Sequence, residues 1–276
     1  MEKLKICFLG TGSMGSAVLQ GLLNSGYEKK LISATTKTEA SALKLREQGI
    51  SALSIENSKD ANQLLASDAQ IVVLGVKPYQ IADVLSEIRS EVDKEAVIVS
   101  MAAGIELKTM AEKLPEHKNL IRTMPNTPAL VGKGVTGLVG ADTASSDAIQ
   151  AAINLFETVG AVVEVREDQI NALSAISGSG PAWLMFIVEK WEQVALERGF
   201  TKEQAAKLVR STLIGSAELL ASSAKEPAEL RKNVTSPGGT TERIIATLEE
   251  ADLAKVFDSA LEAAVKRAHE IASSKG

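Results

Sequence analysis

Residues 6–16 read ICFLGTGSMGS, and this stretch decides the fold of the chain. The apolar run Ile6–Leu9 leads directly into glycines spaced as G-x-G-x-x-G, and a helical pattern of apolar residues follows. Gly10 permits the tight turn, Gly12 lets the backbone approach a pyrophosphate, and Gly15 lets helix and strand pack closely. A pyrophosphate would bind at the helix N-terminus, where free N–H groups favour an anion. The stretch therefore predicts a dinucleotide-binding βαβ unit rather than a plain structural turn. The predicted cofactor contacts are Gly10, Thr11, Gly12, Ser13, Met14 and Gly15.

The composition is that of an ordinary soluble protein, with 276 residues, 45% of them hydrophobic, and a net charge of −5. This acidic balance provides no basic face for nucleic acid. The chain enters its first predicted strand without an apolar signal segment, and no run approaches the length that crosses a membrane. We therefore expect a cytoplasmic protein that binds small molecules, with no nucleic-acid or membrane partner.

The residues that most often bind metals are few and scattered. Cys7 is the single cysteine and lies inside the first predicted strand, so we interpret it as a core residue rather than a nucleophile. His117 and His269 are far apart in the sequence, and neither has a neighbouring set of ligand residues. We expect no metal site.

Predicted strands and helices alternate along the first part of the chain, which favours an α/β fold with a doubly wound, mostly parallel sheet. The predicted strands are Ile6–Leu9, Leu31–Ala34, Ser51–Ile55, Ile71–Val76, Ala96–Ser100, Leu120–Thr123, Val135–Val139 and Val162–Val165. The predicted helices between them are Gly15–Asn24, Glu39–Gln48, Ala61–Ala66, Ile81–Ile88, Leu107–Lys113 and Asp147–Thr158.

From Asp168 onward the pattern is almost entirely helical, and we place the domain boundary near Glu164–Asp168. The predicted domains are a Rossmann-type dinucleotide-binding domain, residues 1–165, and an all-α substrate-binding and dimerisation domain, residues 166–276. Helix faces in the second domain are rich in alanine and glycine, which leaves little bulk for an independent core. We therefore expect a homodimer that buries these faces, with a compact monomeric cap as the alternative. The predicted helices are Asn171–Ala175, Pro181–Arg198, Lys202–Ser222, Pro227–Asn233, Thr241–Glu249 and Leu253–Ser273, with Thr201 and Asp252 as N-caps.

The end of the second predicted strand bears on which nucleotide binds. NAD-specific units place an Asp or Glu there to accept hydrogen bonds from the ribose. Here the sequence continues Thr35, Thr36 and Lys37, without a carboxylate. Hydroxyls and a lysine suit a 2′-phosphate, so we predict a preference for NADPH over NADH. The alternative is that these residues only cap the following helix.

Ligands of such sheets bind beyond the carboxyl ends of the strands. The loops at these ends supply the further candidate cofactor contacts Gly75, Val76, Lys77, Pro78, Met101, Ala102, Ala103, Gly104 and Asn126. The small residues after Met101 suit close approach to a flat nicotinamide ring. Lys77 lies beside an apolar strand, where a lysine that contacts only solvent is unexpected. The alternative is that its side chain extends past the strand and places its charge in solvent. Asn126 lies between two prolines and could meet the cofactor or brace its neighbours.

Two stretches of the helical part have an unusual composition. Residues 175–182 read AISGSGPA and residues 234–241 read VTSPGGTT. Each interior glycine costs a helix about 1 kcal/mol relative to alanine. We therefore expect each stretch to interrupt the helical region, either by turning the chain or by bringing backbone N–H groups to a ligand. The second stretch starts a helix, which suits a carboxylate.

These motifs together resemble the pyrroline-5-carboxylate reductase family. The resemblance runs along the chain through GTGSMG at 10–15, VKP at 76–78, MAAG at 101–104, RTMPNTPALVG at 122–132, SGSGPAW at 177–183 and NVTSPGGTT at 233–241. It implies NADPH-dependent reduction of Δ1-pyrroline-5-carboxylate to L-proline, the last step of proline biosynthesis. It also implies interleaved helical dimers, which in some relatives assemble into rings of five. By motif match, the implied substrate contacts are Asn233, Ser236, Gly239, Thr240 and Thr241. Asn62 is implied as a cofactor contact.

The residues fit imine chemistry independently. A ketone reductase must protonate a developing alkoxide and needs an acid such as Lys, His or Tyr. An imine nitrogen arrives protonated, so such a site needs mainly orientation, exclusion of water and a hydrogen-bonding partner at nitrogen. Thr241 is our candidate for that catalytic partner, and a helix-capping hydroxyl is the alternative.

Two other functions remain open from the sequence. A β-hydroxyacid dehydrogenase would need a catalytic lysine on the first long helix of the second domain, but the first lysine there is Lys190, about two turns along. A non-catalytic NADPH-binding protein could use the same fold.

Overall fold

The computed structural model describes residues 4–273, without the side chains of His269 and residues 271–273. The predicted lack of a ligand role for His269 thus falls outside the described residues. The chain divides into two compact units. Unit 1 comprises the chain up to Ser179 together with the segment from Val265 onward, and unit 2 comprises Gly180–Ala264.

Unit 1 is built around one eight-stranded sheet. Its strands are β1 Ile6–Leu9, β2 Ile32–Thr36, β3 Ser51–Ser54, β4 Ile71–Leu74, β5 Val97–Ser100, β6 Leu120–Pro125, β7 Gly134–Gly140 and β8 Gly160–Glu164. They are arranged in the order β3-β2-β1-β4-β5-β6-β7-β8. Neighbouring strands are parallel except β6 and β7, which run antiparallel. The predicted doubly wound, mostly parallel sheet is confirmed.

Helices cover the sheet and enclose two hydrophobic cores. The helices of unit 1 are α1 Ser13–Asn24, α2 Glu39–Glu47, α3 Ala61–Ala66, α4 Ile81–Ile88, α5 Leu107–Lys113, α6 Ser146–Glu157 and α7 Ile170–Leu173. One core contains Phe8 and Phe156, whereas the other contains Leu9 and Leu85. Successive residues of a strand point to opposite faces, so Phe8 and Leu9 supply different cores.

Cys7 is a core residue, as predicted. Its side chain is fully buried in β1, and burial raises the pKa of the thiol to about 12. A thiol with so high a pKa stays neutral at physiological pH and is therefore a poor nucleophile.

The strand register brings the predicted loops to a single edge of the sheet. Leu9 at the end of β1 pairs with Thr35 in β2 and with Leu74 at the end of β4. Leu74 in turn pairs with Ser100 at the end of β5. Because these strands are parallel and end in register, the residues that follow them share one edge.

The predicted end of β4 needs correction. The strand ends at Leu74 rather than Val76, and Pro78 begins the single 3-10 turn Pro78–Gln80 before α4. Proline is tolerated at the first position of a helical turn because no N–H is needed there. Pro78 thus opens a 3-10 turn that leads directly into α4.

The helical part of the chain contains α8 Gly180–Glu197, α9 Lys202–Ser222, α10 Pro227–Asn233, α11 Thr240–Glu250 and α12 Leu253–Ser273. The predicted N-cap of α9 is confirmed, because Thr201 and Gln204 form a reciprocal capping box. At the start of α12 the Asp252 side chain accepts a hydrogen bond from the Lys255 N–H at 3.3 Å. Asp252 therefore acts as the predicted cap.

The stretch SGSGP does not interrupt the helical region, contrary to our expectation. Ser174–Gly178 forms a π-helical turn, and α8 begins at Gly180 after a single bend residue. The five-residue hydrogen bond from the Ser179 N–H to the Ser174 carbonyl has a length of 2.9 Å. Such π-helical turns are frequent at functional sites.

Unit 2 exposes much of its apolar surface. Val188 is the only residue of α8 that is buried, and α11 has none. The exposed large apolar side chains include Trp183, Met185, Phe186, Trp191, Ile214, Leu219, Ile244 and Phe257. Exposed apolar area of this extent marks an interaction surface.

One helical segment also corrects the expectation that no run reaches membrane-spanning length. Residues Glu167–Glu197 are long and apolar enough to cross a membrane, by length and composition alone. The core helix of a soluble protein passes the same test.

Candidate active site

The loops after β1 and β4 interlock at the carboxyl edge of the sheet. Gly10 has a φ of +87°, which favours glycine, and its N–H donates to the Thr35 hydroxyl at 3.0 Å. A Cβ added to Gly75 would lie only 2.1 Å from the Gly10 carbonyl oxygen, and one added to Gly15 would lie 2.9 Å from the same atom. The close packing of helix and strand predicted for Gly15 is therefore present.

The N-terminus of α1 fits an anionic group. Its N-cap is Gly12, which contributes no side-chain hydrogen bond, and its first turn contains no acidic residue. Gly12 and Ser13 are exposed, and a Cβ on Gly12 would meet nothing closer than the Gly75 carbonyl oxygen at 3.7 Å. The open space beside uncapped N–H groups is what a pyrophosphate requires. Thr11 and Met14 on either side are half-buried.

The hydroxyls at the end of β2 have internal partners. Thr35 is fully buried and accepts from Gly10, while the Thr36 hydroxyl donates to the Thr38 carbonyl at 2.9 Å. Lys37 is exposed. The N-cap of α2 is Thr38, whose side chain accepts from the Ser41 N–H, so Thr35 and Thr36 are not the helix cap. Thr35 instead holds the turn at Gly10 in place. Of the three predicted residues, only Lys37 is exposed to solvent.

Asn62 lies inside α3 and is only 3% exposed. Its amide donates to the Glu87 carboxylate in α4 at 2.9 Å. Its carbonyl oxygen is buried and has no hydrogen-bond partner in the described part of the chain. An unpartnered buried oxygen leaves Asn62 able to accept a bond from a ligand, since such groups are costly when unpaired.

The loop after β5 lies against the glycine-containing loops that follow β1 and β4. The Met101 methyl carbon would be 3.4 Å from a Cβ on Gly75 and 3.8 Å from one on Gly15. Ala102 is buried and donates its N–H to the Ser100 hydroxyl at 3.3 Å, whereas Ala103 is exposed. Gly104 turns the chain with a φ of +76°.

Lys77 is exposed, which differs from the expectation for its position. Because β4 ends at Leu74, Lys77 is already past the apolar strand and serves as the N-cap of the turn Pro78–Gln80. Its backbone N–H donates to the Gln80 side chain at 3.2 Å. Val76 and Pro78 beside it are half-buried.

Asn126 braces its neighbours, one of the two roles that the sequence leaves open, and its contact with the cofactor stays a prediction. It is 8% exposed, and its amide donates to the Ser177 carbonyl at 3.0 Å. Its side-chain oxygen accepts from the Val135 N–H at 2.8 Å. The side chain therefore joins β7 to the π-helical turn through one donor of Nδ2 and one lone pair of Oδ1.

The predicted substrate loop in unit 2 is a turn followed by a helix. The Gly239 N–H donates to the Ser236 carbonyl at 3.0 Å, and Gly238 has a φ of +71°. Proline followed by a glycine of positive φ is the signature of a type II turn. The Glu242 carboxylate accepts from the Gly238 N–H at 2.8 Å and so ties the turn to α11.

The side chains of this loop are available to a ligand. Thr241 lies within the first turn of α11, whose N-cap is Gly239, so its hydroxyl is not the helix cap. That hydroxyl has no hydrogen-bond partner among the described residues, and Thr241 is half-buried. Asn233, Ser236 and Thr240 are exposed.

Sequence reasoning missed an ion pair in unit 1 between buried Arg122 and half-buried Glu167. Arg122 is 4% exposed, and its guanidinium donates to the Glu167 carboxylate at 2.8 Å. The same carboxylate oxygen accepts from the Leu107 N–H at the start of α5 at 3.0 Å. Glu167 thereby holds β6 and α5 together, a contact across 45 residues that no local pattern signals. Sequence reasoning also missed Glu56, which follows β3 and accepts a hydrogen bond from the Glu39 N–H at 3.0 Å.

No group of three or more His, Cys, Asp or Glu residues that could hold a metal ion occurs among the described residues. His117, one of the two histidines, is buried, and both of its ring nitrogens lack a hydrogen-bond partner within residues 4–273.

Comparison with known proteins gives full-length matches. The family described as pyrroline-5-carboxylate reductase dimerisation matches residues 167–271, and that described as NADP oxidoreductase, coenzyme F420-dependent, matches residues 5–104. A pyrroline-5-carboxylate reductase from Methanosarcina acetivorans is 34% identical over 272 residues, covering 98% of this chain and 99% of the relative.

Solved structures agree with these matches. The structure of a pyrroline-5-carboxylate reductase from Coxiella burnetii has a TM-score of 0.91 at 35% identity and covers 98% of each chain. A pyrroline carboxylate reductase from Plasmodium falciparum, solved with NADP bound, has a TM-score of 0.82 at 27% identity and covers 99% of each chain.

Proposed function

The chain belongs to the pyrroline-5-carboxylate reductase family, and we propose that it reduces Δ1-pyrroline-5-carboxylate to L-proline, the last step of proline biosynthesis. The observation that carries this proposal is a match over 98% of the chain, which includes both the glycine-rich stretch and the turn before α11. The chain is accordingly an NAD(P)H-dependent oxidoreductase.

The proposed cofactor is NADPH, with NADH as an alternative. The uncapped N-terminus of α1 and the open space at Gly12 support binding of the pyrophosphate. The unpartnered oxygen of Asn62 and the exposed Ala103 support further contacts. When bound, the reduced nicotinamide supplies the hydride.

The turn before α11 is our proposed site for the substrate carboxylate. Its N-cap Gly239 has no side chain to occupy the first-turn N–H groups. A carboxylate is stabilised at such a helix N-terminus by those N–H groups and by the helix dipole. The exposed side chains of Asn233, Ser236 and Thr240 are proposed to complete this contact.

Thr241 is our proposed partner of the ring nitrogen. Its hydroxyl is half-buried, is not needed as a helix cap and has no partner in the described chain. The hydroxyl can accept a hydrogen bond from the protonated imine and donate one to the amine that forms. Thr241 therefore orients the nitrogen, and the reaction needs no stronger acid.

Self-association follows from the dimerisation family that matches residues 167–271. We propose residues 166–276 as the substrate-binding and dimerisation domain, and a ring of dimers as the larger assembly. We also propose the cytoplasm as the location, without nucleic-acid or membrane partners.

An assay of NADPH oxidation at 340 nm tests the function. The purified protein is mixed with Δ1-pyrroline-5-carboxylate and NADPH, and separately with 3-hydroxy acids and NADP. We expect turnover of the imine alone. Turnover of a 3-hydroxy acid would indicate a β-hydroxyacid dehydrogenase. Binding of NADPH with no turnover would indicate a non-catalytic protein.

A further inference from the structure

The adenosine end of the cofactor site contains a carboxylate that the sequence of β2 does not reveal. By the topology of the sheet, the adenosine ribose binds beyond the carboxyl end of β2. NAD-specific units provide an acidic residue at that position, whereas β2 here ends in Thr36 followed by Lys37. A carboxylate does follow the neighbouring strand β3, at Glu56.

Glu56 reaches the end of β2 from β3. The N–H of Ile55 donates to the Thr36 carbonyl at 2.9 Å, so the chain after β3 still follows the end of β2. The next residue, Glu56, accepts a hydrogen bond from the Glu39 N–H at 3.0 Å. Glu39 is the first residue of α2. The Glu56 carboxylate therefore lies at the N-terminus of α2, directly after the loop of Lys37.

The charge of Glu56 is not neutralised in the described part of the chain. Arg46, the cation of α2 that could bind a 2′-phosphate, forms an ion pair with Glu39 and donates to the Ala52 carbonyl at 3.0 Å. Glu56 itself is exposed and forms no ion pair among the described residues. Lys37 is also exposed and lies in the loop that enters α2, so its charge can oppose that of Glu56 there.

We propose that Glu56 is a specificity-determining residue for the nucleotide. Its carboxylate accepts hydrogen bonds from the adenosine ribose hydroxyls of NADH and repels the 2′-phosphate of NADPH. Lys37 acts in the opposite direction. Together they leave a smaller preference for NADPH than the sequence of β2 alone implies. This inference rests on the proposed dinucleotide-dependent function.

The test compares two variants with the same change of charge. Glu56→Gln keeps an oxygen that can accept from the Glu39 N–H, so α2 keeps its first contact. Glu47→Gln removes an exposed charge at the other end of α2 and serves as the matched control. The dissociation constants of NADPH and NADH are measured by nicotinamide fluorescence, without substrate, so the readout does not depend on turnover.

We expect Glu56→Gln to shift the affinity ratio about fivefold toward NADPH at low salt, since a unit charge about 4 Å from a phosphate charge is worth about 1 kcal/mol in water. The shift should shrink as ionic strength rises. Lys37→Gln should shift the ratio toward NADH. Glu47→Gln should leave the ratio within about twofold of the wild type, because the length of α2, about 12 Å, separates Glu47 from the end of the helix near the phosphate and the Coulomb energy falls with distance.

A ratio in Glu56→Gln equal to that in Glu47→Gln overturns the proposal, and so does a wild-type protein that binds neither nucleotide. If Glu56→Gln does not fold, Glu56→Ala is measured in its place, and a ratio equal to that in Glu47→Gln then overturns the proposal. A shifted ratio in a protein that does not reduce the imine supports the role of Glu56 and overturns the proposed reaction alone.

Discussion

The Thr241 hydroxyl carries the most specific residue-level claim of the proposed chemistry. We expect Thr241→Ala to lower kcat/KM for the imine roughly 100-fold, because one hydrogen bond to the reacting nitrogen is lost. Thr241→Ser should keep most of the activity. Thr247→Ala is the matched control, since Thr247 lies on the same helix and donates its hydroxyl to the Arg243 carbonyl. Full kcat/KM in Thr241→Ala would remove this hydroxyl from the mechanism.

His117 makes the stability of the fold depend on pH. Its side chain is 7% exposed, and burial lowers the pKa of the imidazole below its usual range. The unfolded chain, with a histidine pKa of about 6.5, then binds a proton more readily than the folded chain does. Stability from this residue is therefore complete above the unfolded pKa and is lost as pH falls below about 6.5.

We predict that His117→Leu reduces the difference in melting temperature between pH 7.5 and pH 5.5. The leucine cannot take up a proton, so the part of the acid sensitivity that comes from His117 disappears. Thermal melts of the wild type and the variant at both pH values provide the measurement. An unchanged difference would show that other groups cause the acid sensitivity.

At the residue scale, the sequence names candidate site residues but does not show which groups each of them contacts. Thr35 is predicted to contact the cofactor, and its hydroxyl accepts a hydrogen bond from the Gly10 N–H. Asn126 is bonded to Ser177 and Val135, while its contact with the cofactor stays a prediction. These partners lie far away along the chain, and no local pattern in a sequence contains them.

At the scale of elements, Gly12 and Gly75, in the loops that follow β1 and β4, give a prediction that separates cofactor binding from folding. Gly12→Ser should keep α1 stable, because serine is a good N-cap and a Cβ there has space. The added side chain enters the pyrophosphate position, so we expect NADPH affinity to fall at least about tenfold. Gly75→Ala should lower both affinity and melting temperature, since its Cβ would clash with Gly10.

Fluorescence titration and thermal melts of both variants make the comparison. Equal losses of stability in Gly12→Ser and Gly75→Ala would contradict the assignment of Gly12 to binding and Gly75 to packing.

Regular elements were predictable because their signals are local. The βαβ order, the parallel sheet and helices α9 and α10 follow from apolar periodicity and capping residues. The π-helical turn Ser174–Gly178 was not, because its glycine and serines disfavour a helix. The bond from Asn126 to Ser177, from 51 residues away, holds that turn in place of local propensity.

At the scale of the whole molecule, the exposed apolar side chains of unit 2 predict a homodimer. Phe186 in α8 is 56% exposed. Leu43 in α2 of unit 1 is 50% exposed and therefore serves as the matched control site. We expect Phe186→Asp to weaken self-association, because it would bury an unpaired charge in the interface. Leu43→Asp should leave association unchanged.

Sedimentation velocity over a range of protein concentrations measures the effect. A shift toward monomer in Phe186→Asp alone supports the interface on unit 2. Equal sedimentation of the two variants would place the interface elsewhere.

The central claim is reduction of a cyclic imine by a nicotinamide cofactor, and isotope transfer tests it most directly. The protein is incubated with Δ1-pyrroline-5-carboxylate and NADPH that carries deuterium at the transferable position, and the product is analysed by mass spectrometry and NMR. We predict L-proline with a single deuterium on the ring carbon that was doubly bonded to nitrogen. Oxidation of the cofactor without deuterated proline would contradict this account.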